Sequence, residues 1–167
     1  GRAAIVTGAG RGIGREIARR LAEEGARVAA VARSREQIES LARECRASGA
    51  VLPVTADVSD AAAVSEAVAA ARRAHGPAEI LVNNAGVFLD RPILDTDAGE
   101  FLRLFRTNVL GAVLMTQAAL PEMRALGRGR IINLCSTASH RGYARQSAYA
   151  ASKHALLGFT KVLAEET

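Results

Sequence analysis

Short apolar runs alternate along the chain with longer stretches in which apolar residues recur at helical spacing. The apolar runs cover residues 3–7, 28–31, 51–56, 80–82 and 131–134. They are nearly continuously apolar, a pattern typical of strands buried on both faces of a sheet. Helices are predicted from 13 until Gly25, over 36–48 and 61–75, from an Asp97 N-cap to 123, and from 148 to the end.

This alternation predicts an α/β fold. Helices of ten or more residues between strands act as crossover connections, which favour a parallel sheet covered on both faces. Right-handed crossovers then produce a doubly wound (Rossmann) sheet, with 3-2-1-4-5 as the expected strand order. Ligands of such sheets bind at the carboxyl ends of the strands, where Thr7, Ala56, Asn83 and Ser136 are expected.

Length and composition indicate a single soluble domain. The 167 residues are 49% hydrophobic, yet no apolar run approaches the roughly 20 residues of a membrane helix, and nothing at Gly1 resembles a signal peptide. Cys45 and Cys135 are far apart and form no Cys-x-x-Cys motif, so neither a metal site nor a disulfide framework is predicted. We expect a cytoplasmic protein that does not contact a membrane.

The positive charge of the chain raises the question of whether it binds nucleic acid, because clustered lysines and arginines neutralise phosphates. Net charge is +5 and the pI is near 10.0. The arginines, however, are interleaved with glutamates, and only 4% of residues are aromatic and available for base stacking. No nucleic-acid partner is therefore predicted. The three histidines lack the spacing of a metal cluster and are interpreted as surface or helix-end residues: His75, His140 and His154.

A glycine-rich turn, Thr7-Gly8-Ala9-Gly10-Arg11-Gly12-Ile13-Gly14, joins the first strand to the first helix. A pyrophosphate needs close backbone N–H groups and is stabilised by a helix N-terminus. Gly8 permits the turn, Gly12 permits close approach and Gly14 lets the helix pack on the strand. A plain turn is the alternative, but the strand and helix context favours dinucleotide binding.

The end of the second strand indicates which dinucleotide binds. A carboxylate there would hold both ribose hydroxyls of NAD, but Ala32 and Arg33 occupy the position. Arg11 and Arg33 are instead expected to surround a 2′-phosphate. We predict NADP(H) over NAD(H), with two solvated arginines as the alternative.

Polar residues after the third and fourth strands complete the predicted nucleotide site. Asp57, next to Val58, is expected to accept a hydrogen bond from the adenine amine, unless it caps the next helix as Ser59 or Asp60 equally well would. The segment Asn83-Asn84-Ala85-Gly86 either forms an ordinary turn or supplies amide donors and close backbone approach beside the cofactor ribose.

Tyr149 and Lys153 share one face of the last predicted helix. A phenol is a poor base at neutral pH, and a neighbouring ammonium ion favours its phenolate form. Several motifs occur along the chain in a distinctive order and spacing: Thr7 to Gly14, Asn83 to Gly86, Asn108, Ser136 and Tyr149-x-x-x-Lys153. Together they resemble the short-chain dehydrogenase/reductase family over essentially the whole chain.

The resemblance implies specific roles for these residues. Tyr149 would exchange a proton with the substrate oxygen, which Ser136 would orient, and Lys153 would also bind the nicotinamide ribose. Asn108 would hold a water that links Lys153 to solvent. These roles predict an oxidoreductase that moves hydride between the nicotinamide and a carbonyl or secondary alcohol. A nucleotide-binding sensor or an inactive fragment is the alternative.

Family members continue beyond the tyrosine helix into a sixth strand, a substrate loop and a seventh strand. We therefore expect residues 1–167 to be the dinucleotide-binding domain of a longer polypeptide, with the substrate loop outside them. The substrate stays open among 3-oxoacyl thioesters, sugars, steroids and small ketones. Candidates for the pocket wall are Phe88, Leu89, His140, Tyr143 and Arg145. The resemblance also implies a homo-oligomer, a tetramer or a dimer, packed through the Asp97 and Tyr149 helices.

Overall fold

A parallel sheet forms the centre of the molecule. The computed structural model describes residues 1–45 and 51–167. Its strands are β1 (Ala3–Thr7), β2 (Arg27–Ala32), β3 (Val51–Thr55), β4 (Ile80–Asn83) and β5 (Arg130–Asn133). They pair in the order β3-β2-β1-β4-β5, all parallel. The predicted fold class and strand order are confirmed.

Six α-helices surround the sheet in the described part of the chain. They are α1 (Gly12–Glu23), α2 (Arg35–Glu44), α3 (Ala61–His75), α4 (Ala98–Phe105), α5 (Gly111–Ala125) and α6 (Ser147–Glu166). The helix predicted over 36–48 corresponds to α2, and the last residues of that prediction, 46–48, lie outside the described residues.

The stretch predicted as one long helix from Asp97 to 123 is helical, but a π-helical turn interrupts it, so the prediction of a single helix is wrong in this respect. Asp97 does cap α4, in a capping box with Glu100, and its carboxylate accepts from the Glu100 N–H at 2.9 Å. A π-helical turn at Arg106–Leu110 then separates α4 from α5. Such turns insert one residue into the helical ladder and occur often at functional sites. Here the turn holds the buried Asn108 side chain.

Apolar side chains pack on both faces of the sheet. All five residues of β1 are buried, as the continuous apolar pattern predicts. One cluster joins Val6 and Val28 of the sheet to Ile38 and Leu41 of α2. The other joins Ile5, Val31 and Leu81 of the sheet to Met115 of α5. Each fully buried side chain of this size contributes roughly 1.5–3 kcal/mol. This packing fixes the carboxyl ends of the strands, where the candidate site lies.

Two negative observations apply to the described residues alone. None of their helices combines the length and the apolar character needed to cross a membrane. Nor do these residues bring together three or more His, Cys, Asp or Glu side chains that could hold a metal ion.

Candidate active site

The glycine-rich turn between β1 and α1 packs directly against the end of β4. Gly8 has φ 65°, and a Cβ on it would lie 2.8 Å from Asn84 Nδ2 and 2.9 Å from Ala85 Cα. Asn84 Nδ2 donates to the carbonyls of Thr7 at 2.9 Å and Gly8 at 3.3 Å. The Thr7 hydroxyl accepts from the Asn84 and Ala85 N–H groups, each at 3.0 Å. Glycine at position 8 is required by both conformation and space.

An open cleft of about 530 Å³ lies above this turn. Most of the residues predicted to bind the dinucleotide line it: Gly8, Gly10, Arg11, Gly12, Ile13, Arg33, Asp57, Val58, Asn84, Ala85 and Gly86. The structure therefore brings together segments that follow four different strands. A lining of glycine backbone and two arginines, Arg11 and Arg33, suits an extended, negatively charged ligand.

Two of the predicted dinucleotide residues, Asn83 and Gly14, do not line the cleft. The Asn83 side chain donates to Asn133 Oδ1 at 2.9 Å and to Thr116 Oγ1 at 3.4 Å. Gly14 is buried, and a Cβ on it would collide with the Asn84 amide and the Gly8 carbonyl. Both residues are thus placed to hold neighbouring elements rather than to face a ligand.

Charged groups face each other at one end of the cleft. Arg33 Nη1 lies 3.8 Å from Asp57 Oδ2. The Asp57 carboxylate accepts from the Ser59 N–H at 2.9 Å and the Ser59 hydroxyl at 2.7 Å. These hydrogen bonds, together with the Arg33 charge, hold the pKa of Asp57 below its usual range. Asp60, not Asp57, caps α3, since it accepts from the Ala62 and Ala63 N–H groups.

The Lys153 ammonium lies beneath the other end of the cleft. Lys153 is only 5% exposed, and its Nζ donates to the Leu134 carbonyl at 2.7 Å. This Nζ is 5.9 Å from the centre of the Tyr149 ring and 3.8 Å from where a Cβ on Gly86 would stand. Burial lowers the pKa of the Lys153 amine. The lysine thus lies near both the Tyr149 ring and Gly86 at the cleft rim.

Ser136 lies three residues after the end of β5 and caps a 3₁₀ turn, Thr137–Ser139. Its hydroxyl oxygen accepts from the Ala138 N–H at 3.1 Å, which leaves the Ser136 O–H able to donate elsewhere. The Ser139 hydroxyl accepts from the Ser136 N–H at 3.1 Å and fixes the backbone of the turn. A serine in this position can donate to a negatively polarised oxygen.

Asn108 joins the cleft rim to α6. It is 1% exposed, accepts from the Val87 N–H at 2.7 Å and donates to the Val87 carbonyl at 3.0 Å. It also donates to the Ser152 hydroxyl at 3.0 Å, and Ser152 in turn donates to the Tyr149 carbonyl at 2.7 Å. The family resemblance indicated Asn108, whereas the contacts of the Ser152 and Thr7 hydroxyls were not predicted from the sequence.

The predicted pocket-wall residues lie in the segments that follow β4 and β5. The Phe88 ring packs against Tyr149, and Arg145 pairs with Asp90. The Tyr143 hydroxyl accepts from Arg141 Nε at 2.8 Å. Leu89 is half-buried and His140 is exposed.

Comparison with known proteins is consistent with this geometry. The family profile described as short chain dehydrogenase matches residues 2–167. A ketoacyl reductase, HetN, of Nostoc sp. is 35% identical over 99% of this chain and 58% of its own length. L-xylulose reductase of Cavia porcellus is 39% identical over 99% of this chain and 66% of its own length. The chain thus spans less than two thirds of these curated relatives.

A solved structure shares both the fold and much of the sequence. It is a metagenomic short-chain oxidoreductase in complex with NADP, 39% identical, with a TM-score of 0.94 over 99% of this chain and 75% of that protein.

Proposed function

The chain belongs to the short-chain dehydrogenase family, and we propose that residues 1–167 form the dinucleotide-binding and catalytic domain of an NADP(H)-dependent oxidoreductase. The substrate is a carbonyl compound or the matching secondary alcohol. One observation carries this proposal: the buried Lys153 amine lies 5.9 Å from the centre of the Tyr149 ring and close to Gly86, which lines the glycine-rich cleft. The reductase names of the two curated relatives support carbonyl reduction, and a 3-oxoacyl thioester is one candidate substrate.

The residues of the cleft fit an NADP(H) molecule. A Cβ on Gly8 would meet the Asn84 amide and the Ala85 backbone at 3 Å or less, so only glycine fits at that point of the wall. Arg11 and Arg33 would hold the 2′-phosphate through charge-assisted hydrogen bonds. Asp57 and Val58 would contact the adenine, and the segment from Asn84 to Gly86 the ribose near the nicotinamide.

The catalytic side chains have separate tasks. When bound, the nicotinamide supplies or accepts the hydride. Tyr149 donates its phenolic proton to the carbonyl oxygen as that oxygen gains charge, and the Ser136 O–H donates a hydrogen bond to the same atom. Lys153 stabilises the resulting phenolate by its positive charge. Asn108 holds the cleft rim and α6 in register and remains our candidate for a water-mediated proton path to Lys153.

The nucleotide preference is tested with matched arginine variants. Arg33 lines the cleft, whereas Arg35 lies on α2 and pairs with Glu39 at 2.7 Å. We expect Arg33→Ala to weaken NADPH binding by roughly tenfold or more, because a hydrogen bond between charged groups contributes about 1.5–3 kcal/mol. Dissociation constants for NADPH and NADH give the measurement. Arg35→Ala should change neither, and equal affinity of the unaltered protein for both nucleotides would contradict the assignment.

The proton donor is tested by removing one oxygen atom. Tyr149→Phe should abolish most NADPH-dependent carbonyl reduction while the dissociation constant for NADPH stays near normal. Tyr143→Phe, the equivalent change in the only other tyrosine, should keep most of the turnover. Full turnover by Tyr149→Phe would refute the proposed mechanism.

We also propose a homo-oligomer, a dimer or tetramer, packed through α4 and α6. Apolar side chains on both helices support it, since Leu102 is 58% and Val162 is 57% exposed. Light scattering after size-exclusion chromatography should give a multiple of the chain mass, and Leu102→Glu should lower it. A monomer in both cases would refute this assembly.

A further inference from the structure

An exposed aromatic ring lies beside the proposed proton donor. Phe88 is 56% exposed, and its ring centre is 4.9 Å from that of Tyr149 with an interplanar angle of 76°. Rings at this distance and angle attract each other edge to face. Phe88 therefore uses part of its surface to hold Tyr149 and leaves the remainder open to a ligand.

The backbone on both sides of this ring is held in place. Before it, the Val87 N–H and carbonyl both bond to the buried Asn108 side chain, at 2.7 Å and 3.0 Å. After it, Asp90 pairs with the Arg145 side chain, and the Arg91 N–H donates to the Arg145 carbonyl at 2.7 Å. The ring is thus carried by a short segment with tertiary contacts at each end.

Arg145 has an uncommon backbone conformation at this brace. Its φ is 67°, the single positive value among non-glycine residues in the described part of the chain. A side chain keeps such a conformation only where surrounding contacts impose it. Here those contacts are the ones to Asp90 and Arg91. The segment that carries Phe88 is thus held against the segment that precedes Tyr149.

We propose that Phe88 is a specificity-determining residue that forms an apolar wall for the group attached to the substrate's carbonyl carbon. This inference rests on the proposed function, because it takes the carbonyl oxygen to lie at the Tyr149 hydroxyl. A substituent on the side of Phe88 then meets the open part of the ring. Aryl or branched alkyl substituents gain by being removed from water there, whereas hydroxylated ones lose hydrogen bonds to water. The preferred substrates are ketones with a flat or bulky apolar substituent.

The test compares an aryl ketone, acetophenone, with a small hydroxylated ketone, dihydroxyacetone. We expect the unaltered protein with NADPH to have the higher kcat/KM for acetophenone. Phe88→Leu keeps the site apolar but removes the ring, and should lower kcat/KM for acetophenone by roughly tenfold, mainly through KM. The value for dihydroxyacetone should change by less than about threefold.

Phe101→Leu provides the matched control. Phe101 stacks on Phe105 within α4, at 6.2 Å between ring centres, and is not part of the proposed site. It should change neither ketone's kinetics. Thermal unfolding and NADPH binding of both variants establish that the fold and the cleft are retained.

Three outcomes would overturn the inference: an equal loss for both ketones in Phe88→Leu, which would assign the ring only to orienting Tyr149; a preference of the unaltered protein for dihydroxyacetone; or no effect at all. Saturation-transfer NMR of acetophenone with the NADP⁺-loaded protein gives a readout without turnover. If acetophenone binds, binding is lost in Phe88→Leu and no ketone is reduced, the proposed function fails while the apolar wall stands. If acetophenone neither binds nor reacts, the apolar wall is refuted.

Discussion

Replacing Gly111 by alanine tests how tightly the helix after the π turn packs beneath the cleft. Gly111 is buried at the start of α5, and a Cβ on it would lie 2.6 Å from Val58 Cγ2 and 3.0 Å from Val58 Cβ. Carbon atoms in ordinary contact are about 3.5–4.0 Å apart. Val58 or α5 must therefore move by roughly 1 Å. Val58 has little freedom to do so, because it is β-branched and 6% exposed.

Two opposing terms set the size of the effect. Alanine is favoured over glycine inside a helix by about 1 kcal/mol. Overpacking a well-filled core costs about 1–3 kcal/mol. Gly158→Ala in α6 isolates the first term, because nothing lies within 4 Å of a Cβ there. We expect Gly158→Ala to stabilise the protein and Gly111→Ala to be less stable than Gly158→Ala by about 1–3 kcal/mol.

Urea denaturation of the two variants measures this difference directly, provided that the slope with urea is unchanged. Because Val58 also lines the cleft, Gly111→Ala should weaken NADPH binding while Gly158→Ala should not. Equal stability of the two variants would refute the reasoning, since it would mean that Val58 yields at no cost. Unchanged NADPH affinity in a destabilised Gly111→Ala would remove Val58 from the proposed nucleotide contacts.

Other predictions concern capping, pH and the buried amide. Asp60→Ala should cost about 1 kcal/mol in urea unfolding, because two N–H groups of α3 lose their acceptor. Ser34→Ala should cost less than about 0.5 kcal/mol, since Ser34 makes no capping bond to α2. Burial lowers the pKa of His75, so as the pH falls below about 6.5 the unfolded chain binds this proton before the folded chain does. This histidine should lower the free energy of unfolding by at most about 1.4 kcal/mol for each pH unit of acidification. The urea midpoint of His75→Gln should therefore fall less steeply with pH than that of the unaltered protein. Asn108→Asp should cost roughly 2–4 kcal/mol in urea unfolding, because a carboxylate cannot donate to the Val87 carbonyl; stability equal to that of the unaltered protein would contradict the Asn108 contacts.

The strand order was predictable because it follows from connection rules rather than from side-chain detail. Continuous apolar runs such as β1 indicate burial on both faces, and crossover helices then restrict the topology. The π turn at Arg106–Leu110 was not predictable in the same way. The helical spacing of apolar residues continues across the turn. The turn is accompanied by tertiary hydrogen bonds between Asn108 and both Val87 and Ser152. Contacts between segments distant in sequence leave no local pattern.

Asn83 and Asn84 illustrate a residue-level limit of motif reasoning. The motif groups them, yet the Asn83 side chain bonds to Asn133 and Thr116, and that of Asn84 to the glycine turn. Asn83 is the last residue of β4, and successive side chains of a strand point to opposite faces. Strand alternation therefore explains why the two amides have different partners, but the predicted strand ended at 82, so the sequence analysis did not separate them.

The position of Tyr149 and Lys153 relative to the cleft depends on tertiary contacts, which the four-residue spacing of the pair does not predict. Four residues along a helix ensure only that Tyr149 and Lys153 share a face. Their place relative to the cleft is set by three contacts from different elements: Lys153 with the Leu134 carbonyl after β5, Ser152 with Asn108 in the π turn, and Tyr149 with Phe88 after β4. Since Asn108 also holds Val87 at the cleft rim, a shift of α6 disturbs the nucleotide side as well. The two halves of the proposed site are therefore mechanically one unit, and a variant in either half must be assayed for both binding and turnover.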